Sequence, residues 1–423
     1  MTVLALFSGL LVLGLPVAFA ILAAALWQIA ATGNPALFLS VPQQLFAGIE
    51  SYGLLALPVF ILLGELMNAA GAGRRLLALA ALAVGPVRGG LAQVTLVANA
   101  MMAAILGSSV AQITLMSKLA VPEMERAGYP RDLAAAVTAA GGLLAPVLPP
   151  SMLLILFGVT AQIPVGELFV AGVVPGLLLF AALAAVTAAG ARRRNLPVAR
   201  RPATGRGRIV LAALPSALVP LAMIASILGG IATAVEAGTF GILATLVVGF
   251  AIHRELRVAD LWPALKSTAL TSAVILMLVA AAGLWSWIAA WQNLPAQAGA
   301  LISGLTSDPL VFMLLYNLML ILIGMVIDPI PALILVVPVF LPIATGSYGF
   351  DPLQMGVVTC LNLTLGLLTP PVGSGLFTAA RLNGVRPERL ARLTLPYLAA
   401  GGAVILLTAL WPAVSGGLGR LLN

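Results

Sequence analysis

Apolar residues run along this chain in long stretches, at roughly 3–31, 54–70, 76–120, 134–161, 168–190, 209–229, 234–252, 268–291, 311–345, 355–381 and 394–412. Crossing a bilayer takes roughly 20 apolar residues in a helix. The length therefore accommodates about ten spans plus shorter pieces. Several stretches divide into pieces too short to span alone, and the short pieces fall at matching places in two halves. Asn99-Ala100-Met101 precedes Asn317-Leu318-Met319 by 218 residues, and Pro122 precedes Pro342 by 220. Gly128-Tyr129 precedes Gly349-Phe350 by 221, Val137-Thr138 precedes Val358-Thr359 by 221, and Gly142-Leu143-Leu144 precedes Gly366-Leu367-Leu368 by 224. The order and the small drift predict an internal repeat.

The repeat contains GLLAPVLPPS from Gly142 and GLLTPPVGSG from Gly366. Proline removes a backbone donor and clashes with the preceding turn, so each copy predicts a broken helix. Polar backbone freed at membrane depth must be packed in protein or line a wet cavity. Paired Gly/Pro breaks at equivalent places point to a transporter's binding site. Freed carbonyls there can coordinate a cation, and half-helix N-termini can hold an anion. A plain pair of proline kinks is the alternative, and it leaves the flanking glycines without a reason.

Composition narrows the class. Charged residues make up 8% and mean hydropathy is +1.13, against about 25% charged residues in a soluble domain. The first residues, MTVLALFSGLLVLGLPVAFA, lack a basic leader region and read as a first helix rather than a cleaved signal. The net charge of +8 is concentrated in seven arginines between Arg192 and Arg208. Without interleaved aromatics or a soluble domain, that block reads as a cytoplasmic loop and not as a nucleic-acid surface. HRELR, from His253, reads as another such loop, with a solvated histidine. One histidine and one cysteine, Cys360, argue against an intramembrane enzyme or a metal cluster. The chain has no phosphate-binding Walker motif and hence no support for ATP hydrolysis.

Three acids lie inside apolar runs, Glu65, Glu236 and Asp328. A carboxylate at such depth is a functional candidate by default. Asp328 precedes a proline within the repeat; its alternative role is a helix N-cap. Glu65 and Asn68 share a helical face and could join helices by hydrogen bonds. Glu236 reads as structural.

Seven stretches, in this order, resemble the large membrane subunit of TRAP (tripartite ATP-independent periplasmic) transporters: LPVFILLGELMNAAG, RGGLAQVTLVANAMMAAILGSSVA, AAAVTAAGGLLAPVLPPS, GELFVAGVVPGLLL, GGIATAVEAGTFG, LLYNLMLILIGMVIDPIPA and LNLTLGLLTPPVGSGLF. The resemblance implies an all-α polytopic protein of the bacterial inner membrane, built as an inverted-repeat elevator with a scaffold domain and a transport domain. Residues 1–71 would be N-terminal scaffold or arm helices. Residues 72–161 would form the first transport repeat, with a hairpin over about 90–122 and a broken helix over about 133–160. Scaffold helices would follow over 162–291, with the arginine-rich loop at 192–208. Residues 292–382 would form the second repeat, with a hairpin over about 329–344 and a broken helix over about 356–382. A C-terminal helix would fill 383–423.

The resemblance further implies sodium-coupled uptake of organic acids, with no cofactor beyond the coupling ions. The partners would be a small four-helix membrane subunit and a periplasmic substrate-binding protein. An ion-coupled antiporter of the same broad fold, working without a binding protein, is the alternative. Ion and substrate candidates are Ser108, Ser109, Gly142 and Pro146 in the first half, and Asp328, Asn362, Thr364, Gly366, Thr369, Pro370 and Gly373 in the second. Asp328, Gly366 and Thr369 would hold one sodium ion; Ser108 and Gly142 would serve the other. Lys118 and Arg381 are cationic candidates for a carboxylate, although Lys118 could snorkel and Arg381 begins a basic edge with Arg386, Arg389 and Arg392. The first half departs from the family: Gln112 stands where an acid is usual, and Gly141, Gly142 and Leu143 stand where hydroxyl residues are usual.

Overall fold

The computed structural model describes residues 2–84, 86–198 and 205–422, and the described residues are almost wholly helical. The chain begins with α1 (Thr2–Val12), α2 (Val17–Ala31), α3 (Val41–Ile49), α4 (Ala56–Ala69) and α5 (Ala72–Val84). The first repeat is α6 (Gly90–Leu106), α7 (Ser109–Arg126), α8 (Arg131–Gly141), α9 (Met152–Ala161) and the long α10 (Val165–Arg193). Then come α11 (Arg206–Leu228), α12 (Ala234–Val247), α13 (Val258–Trp291) and α14 (Leu294–Leu305). The second repeat is α15 (Pro309–Gly324), α16 (Pro329–Gly346), α17 (Pro352–Gly366), α18 (Ser374–Asn383) and α19 (Pro387–Leu410), and α20 (Ala413–Leu422) follows.

Among the described residues, seven helices are long and apolar enough to cross a membrane, or eight if the sharply bent pair α14–α15 is one span. That is fewer than the about ten expected from apolar length, because much apolar sequence is spent in half-length arms. Four boundaries differ from the sequence reading. The stretch 3–31 is two helices, because Gly14 takes φ +84° and Pro16 has no amide hydrogen to continue the first. Residues 329–344 are not a hairpin: they lie within the single helix α16, and the hairpin is α15 with α16, turning at Met325–Asp328. Pro329 and Pro331 begin a helix there, where a missing amide hydrogen costs nothing. The C-terminal segment divides at Trp411-Pro412 into α19 and α20. His253 is not in a loop: it closes a π-helical turn after α12, with its Nε2 3.3 Å from Ser216 Oγ. Part of the arginine-rich loop, 199–204, falls outside the described residues.

The two repeats run in opposite directions, as their contacts with α19 show. Near the start of α19, Arg389 pairs with Asp132 at the start of α8. Near its end, the Thr408 and Ala409 carbonyls accept Gln354 Nε2, at the start of α17, at 3.0 and 2.9 Å. The equivalent helices α8 and α17 thus begin near opposite ends of α19, at residues 389 and 408–409, about 30 Å apart at 1.5 Å per residue. The packing is reciprocal: α7 lies on α18 while α16 lies on α9, and α8 lies on α19 while α17 lies on α10.

The crossing of α15 and α17 shows how close the elements come. A Cβ on Gly366 would lie 2.6 Å from the Gly324 carbonyl carbon. One turn back, Asn362 Nδ2 donates to Asn317 Oδ1 at 2.6 Å, and Tyr316 Oη meets Thr359 Oγ1 at 2.8 Å. In lipid, small residues and side-chain hydrogen bonds of this kind join helices, because burial from water does not.

Candidate functional site

Each hairpin tip touches the break of the helix that follows it. In the first half, Gly107 takes φ +59° and ends α6, and its carbonyl accepts Met152 N at 3.4 Å, at the start of α9. A Cβ there would lie 3.2 Å from Pro150 O, so the left-handed turn and the close approach both favour glycine. Ser151 Oγ donates to Pro146 O at 2.5 Å and accepts from Leu154 N at 3.2 Å, which closes the break and caps α9. In the second half, the Met325 carbonyl accepts Gly373 N at 3.0 Å, and Leu367 O takes Gly375 N and Leu376 N at 3.1 and 3.2 Å. Both breaks carry a cis Pro-Pro bond, Pro149-Pro150 and Pro370-Pro371.

The tips and the breaks face one cavity of about 560 Å³. Its wall includes Ser108 and Ser109 from the first tip, Pro146 from the first break, Asp328 from the second tip and Leu367 from the second break. Thr271 and neighbouring apolar residues of α13, with the start of α2, close the remaining side. Among the described residues, Asp328 is the ionisable side chain in that lining, and no lysine or arginine lines it. Lys118 and Arg381 are exposed elsewhere.

Asp328 stands at the N-cap position of α16, yet its side chain makes no cap bond. Instead its Oδ1 accepts Ser374 Oγ at 2.5 Å, across from the first residue of α18. Among the described residues it has no ion pair. A solvent-reaching carboxylate with a hydroxyl beside it and no basic partner is the donor set that suits a hard, oxygen-seeking cation. Ser374 was not singled out from sequence; the one available signal was a serine inside GLLTPPVGSG.

The other expected site residues lie behind the cavity wall. Asn362 holds Asn317 and donates to Val358 O, while its buried Oδ1 has no partner among the described residues. Thr364 Oγ1 donates to Cys360 O and Thr369 Oγ1 to Leu365 O, so both hydroxyls bond their own helix or its end. Gly366 O accepts Thr369 N at 2.9 Å. Pro370 and Gly373 form the break, and Gly142 packs beneath Ile113. Of the apolar-run acids, Glu65 accepts Ser267 Oγ at 2.7 Å, joining α4 to α13, and Glu236 forms a capping box with Thr233.

The chain matches the sequence profile described as "Tripartite ATP-independent periplasmic transporter, DctM component" over residues 4–414. It belongs to that family. Among DctM relatives, the sialic acid TRAP transporter large permease protein SiaM of Vibrio cholerae is 33% identical over 96% of this chain and 94% of its own length. The C4-dicarboxylate TRAP transporter large permease protein DctM of Pseudomonas aeruginosa is 32% identical over 89% of this chain and 88% of its own. The isethionate TRAP transporter permease protein DctMQ of Oleidesulfovibrio alaskensis is 34% identical over 96% of this chain, which spans 64% of that longer protein. Among solved structures, the Alcanivorax borkumensis YdaH transporter superposes with a TM-score of 0.68 over 92% of this chain and 90% of its own, at 17% identity. This DctM chain therefore shares the YdaH fold. The three relatives named above are transporter permeases.

Proposed function

We propose that this DctM chain is the permease of a sodium-coupled importer of organic acids in the bacterial inner membrane, where a periplasmic binding protein delivers the solute and a small four-helix membrane subunit completes the carrier. Asp328 is the observation that carries the reading. It is a carboxylate with no ion pair among the described residues, at a hairpin tip on the wall of the cavity that both tips and both breaks share. A sodium ion would sit between Asp328, Ser374 Oγ and carbonyls of the second break, with Gly366 and Thr369 supplying the backbone around it. Its charge would balance the acid and, in part, the solute's own.

Relatives named for sialic acid, C4-dicarboxylates and isethionate suggest that the cargo is an acid. Because no basic side chain among the described residues lines the cavity, the anionic group is read as meeting the start of α7, which has no side-chain cap and whose first amides carry partial positive charge. The reciprocally packed α6–α10 and α15–α19 contain the site, and in this reading the hairpins and broken helices move as one body against a scaffold drawn from the other helices. Uptake of radiolabelled sialic acid, succinate and isethionate into vesicles bearing the chain and both partners tests this. Accumulation under an inward sodium gradient, and none under potassium, supports it. Accumulation driven by a pH gradient without sodium would replace sodium with protons.

A further inference from the structure

The two halves differ at one buried point. Gln112 lies on the first turn of α7 and is fully buried. Its Nε2 lies 2.8 Å from Asn99 O, 2.9 Å from Asn99 Oδ1 and 3.2 Å from Gly141 O. Two amide hydrogens are thus shared among three oxygens, from the hairpin arm and from the end of α8 at the break. Reversing the amide would set Gln112 Oε1 against three acceptors, so the network fixes its orientation. Three oxygens converging on one point are what a small cation requires, and here an N–H group occupies that point.

The surroundings are shaped to it. Gly141 has no side chain, and a Cβ there would lie 2.5 Å from Asn99 Cγ. Asn362, 221 residues later, makes the corresponding contact with Asn317 from the broken helix itself. The amide that ties hairpin to break therefore comes from the broken helix in the second half and from the hairpin in the first. Charge differs as well. Residues 98–122 and 138–152, which hold the first tip and break, contain no carboxylate. Ser109 Oγ, Gln112 Oε1 and Thr138 Oγ1 are buried without partners among the described residues, and all three are neutral. Without an anion they compensate poorly for stripping water from a cation.

We propose that the Gln112 amide stands in place of a cation in the first half, so that this chain binds its coupling ion only beside Asp328. The inference rests on the sodium-coupled reading. It assigns Gln112 as a positioning residue: it holds the first hairpin to its broken helix permanently, where a bound ion would do so reversibly.

The test is the stoichiometry of ²²Na⁺ binding to the purified full chain, for wild type, Asp328→Asn and Gln112→Glu. Wild type is expected to bind one sodium per chain and Asp328→Asn none. Gln112→Glu would set a carboxylate against the three oxygens, which a cation must then bridge, so above pH 8 it is expected to bind two. Two sodium ions in wild type, or one surviving in Asp328→Asn, would overturn the inference while leaving sodium coupling intact. No sodium in wild type would overturn the sodium reading itself, and the inference with it. If Gln112→Glu does not fold, the comparison of wild type with Asp328→Asn still decides.

Discussion

Replacing Gly366 by alanine should cost far more than its size suggests. The added Cβ would lie 2.6 Å from the Gly324 carbonyl carbon and 2.7 Å from Gly324 Cα, both backbone atoms of α15. Carbon contacts settle at about 3.5–4.0 Å, so α15 and α17 must part by about 1 Å. Overpacking of this kind costs about 1–3 kcal/mol. Parting also loosens the Asn317–Asn362 bond one turn away, at a further cost of about 1 kcal/mol. Alanine returns about 1 kcal/mol in helix propensity, which leaves a net loss of about 1–3 kcal/mol. Gly402, in the middle of α19, is the control: a Cβ there meets nothing within 4 Å, so alanine should stabilise by up to about 1 kcal/mol. The assay is thermal unfolding of both variants in the same detergent at one scan rate, which keeps irreversible transitions comparable. Gly366→Ala should unfold several degrees below wild type and Gly402→Ala at or above it. If the two unfold together, the account of the α15–α17 crossing is wrong.

Other substitutions separate site from scaffold. Ser374→Ala removes the hydroxyl that donates to Asp328; a hydrogen bond to a charged group contributes about 1.5–3 kcal/mol, so the sodium midpoint in a stability titration should rise about tenfold or more. Glu65→Ala loses the bond to Ser267 between α4 and α13 and should lower stability by about 1 kcal/mol, leaving that midpoint unchanged. Lys118→Gln and Arg381→Gln alter exposed residues that do not line the cavity, so solute uptake should match wild type in both; a loss in either would restore that residue as a substrate contact.

The repeat and the two breaks were legible because proline and glycine act locally, and their effect does not depend on what packs nearby. Glu236 read only as structural; its capping box with Thr233 went unread although Thr233-x-x-Glu236 is a local signature. The second hairpin was misplaced because 311–345 is apolar on both sides of the turn; hydropathy does not distinguish Met325–Asp328 from a continuing helix. The split at Gly14 and Pro16 was hidden in the same way by leucines on either side. Ser374 was illegible because its partner lies 46 residues earlier and only the folded break brings them together. Gln112 was legible as a departure, but its three oxygen partners come from α6 and α8, and no spacing in the sequence specifies that convergence.

The central claim is that the second break forms a cation site around Asp328. Thermal stability of the purified chain against sodium, with potassium at equal ionic strength, tests it most directly for wild type and Asp328→Ala. A ligand that binds only the folded state adds about 2.7 kcal/mol at a hundredfold excess over Kd. A sodium-specific rise is expected in wild type and should disappear in Asp328→Ala. Equal responses to sodium and potassium, or a sodium rise that survives in Asp328→Ala, would contradict it.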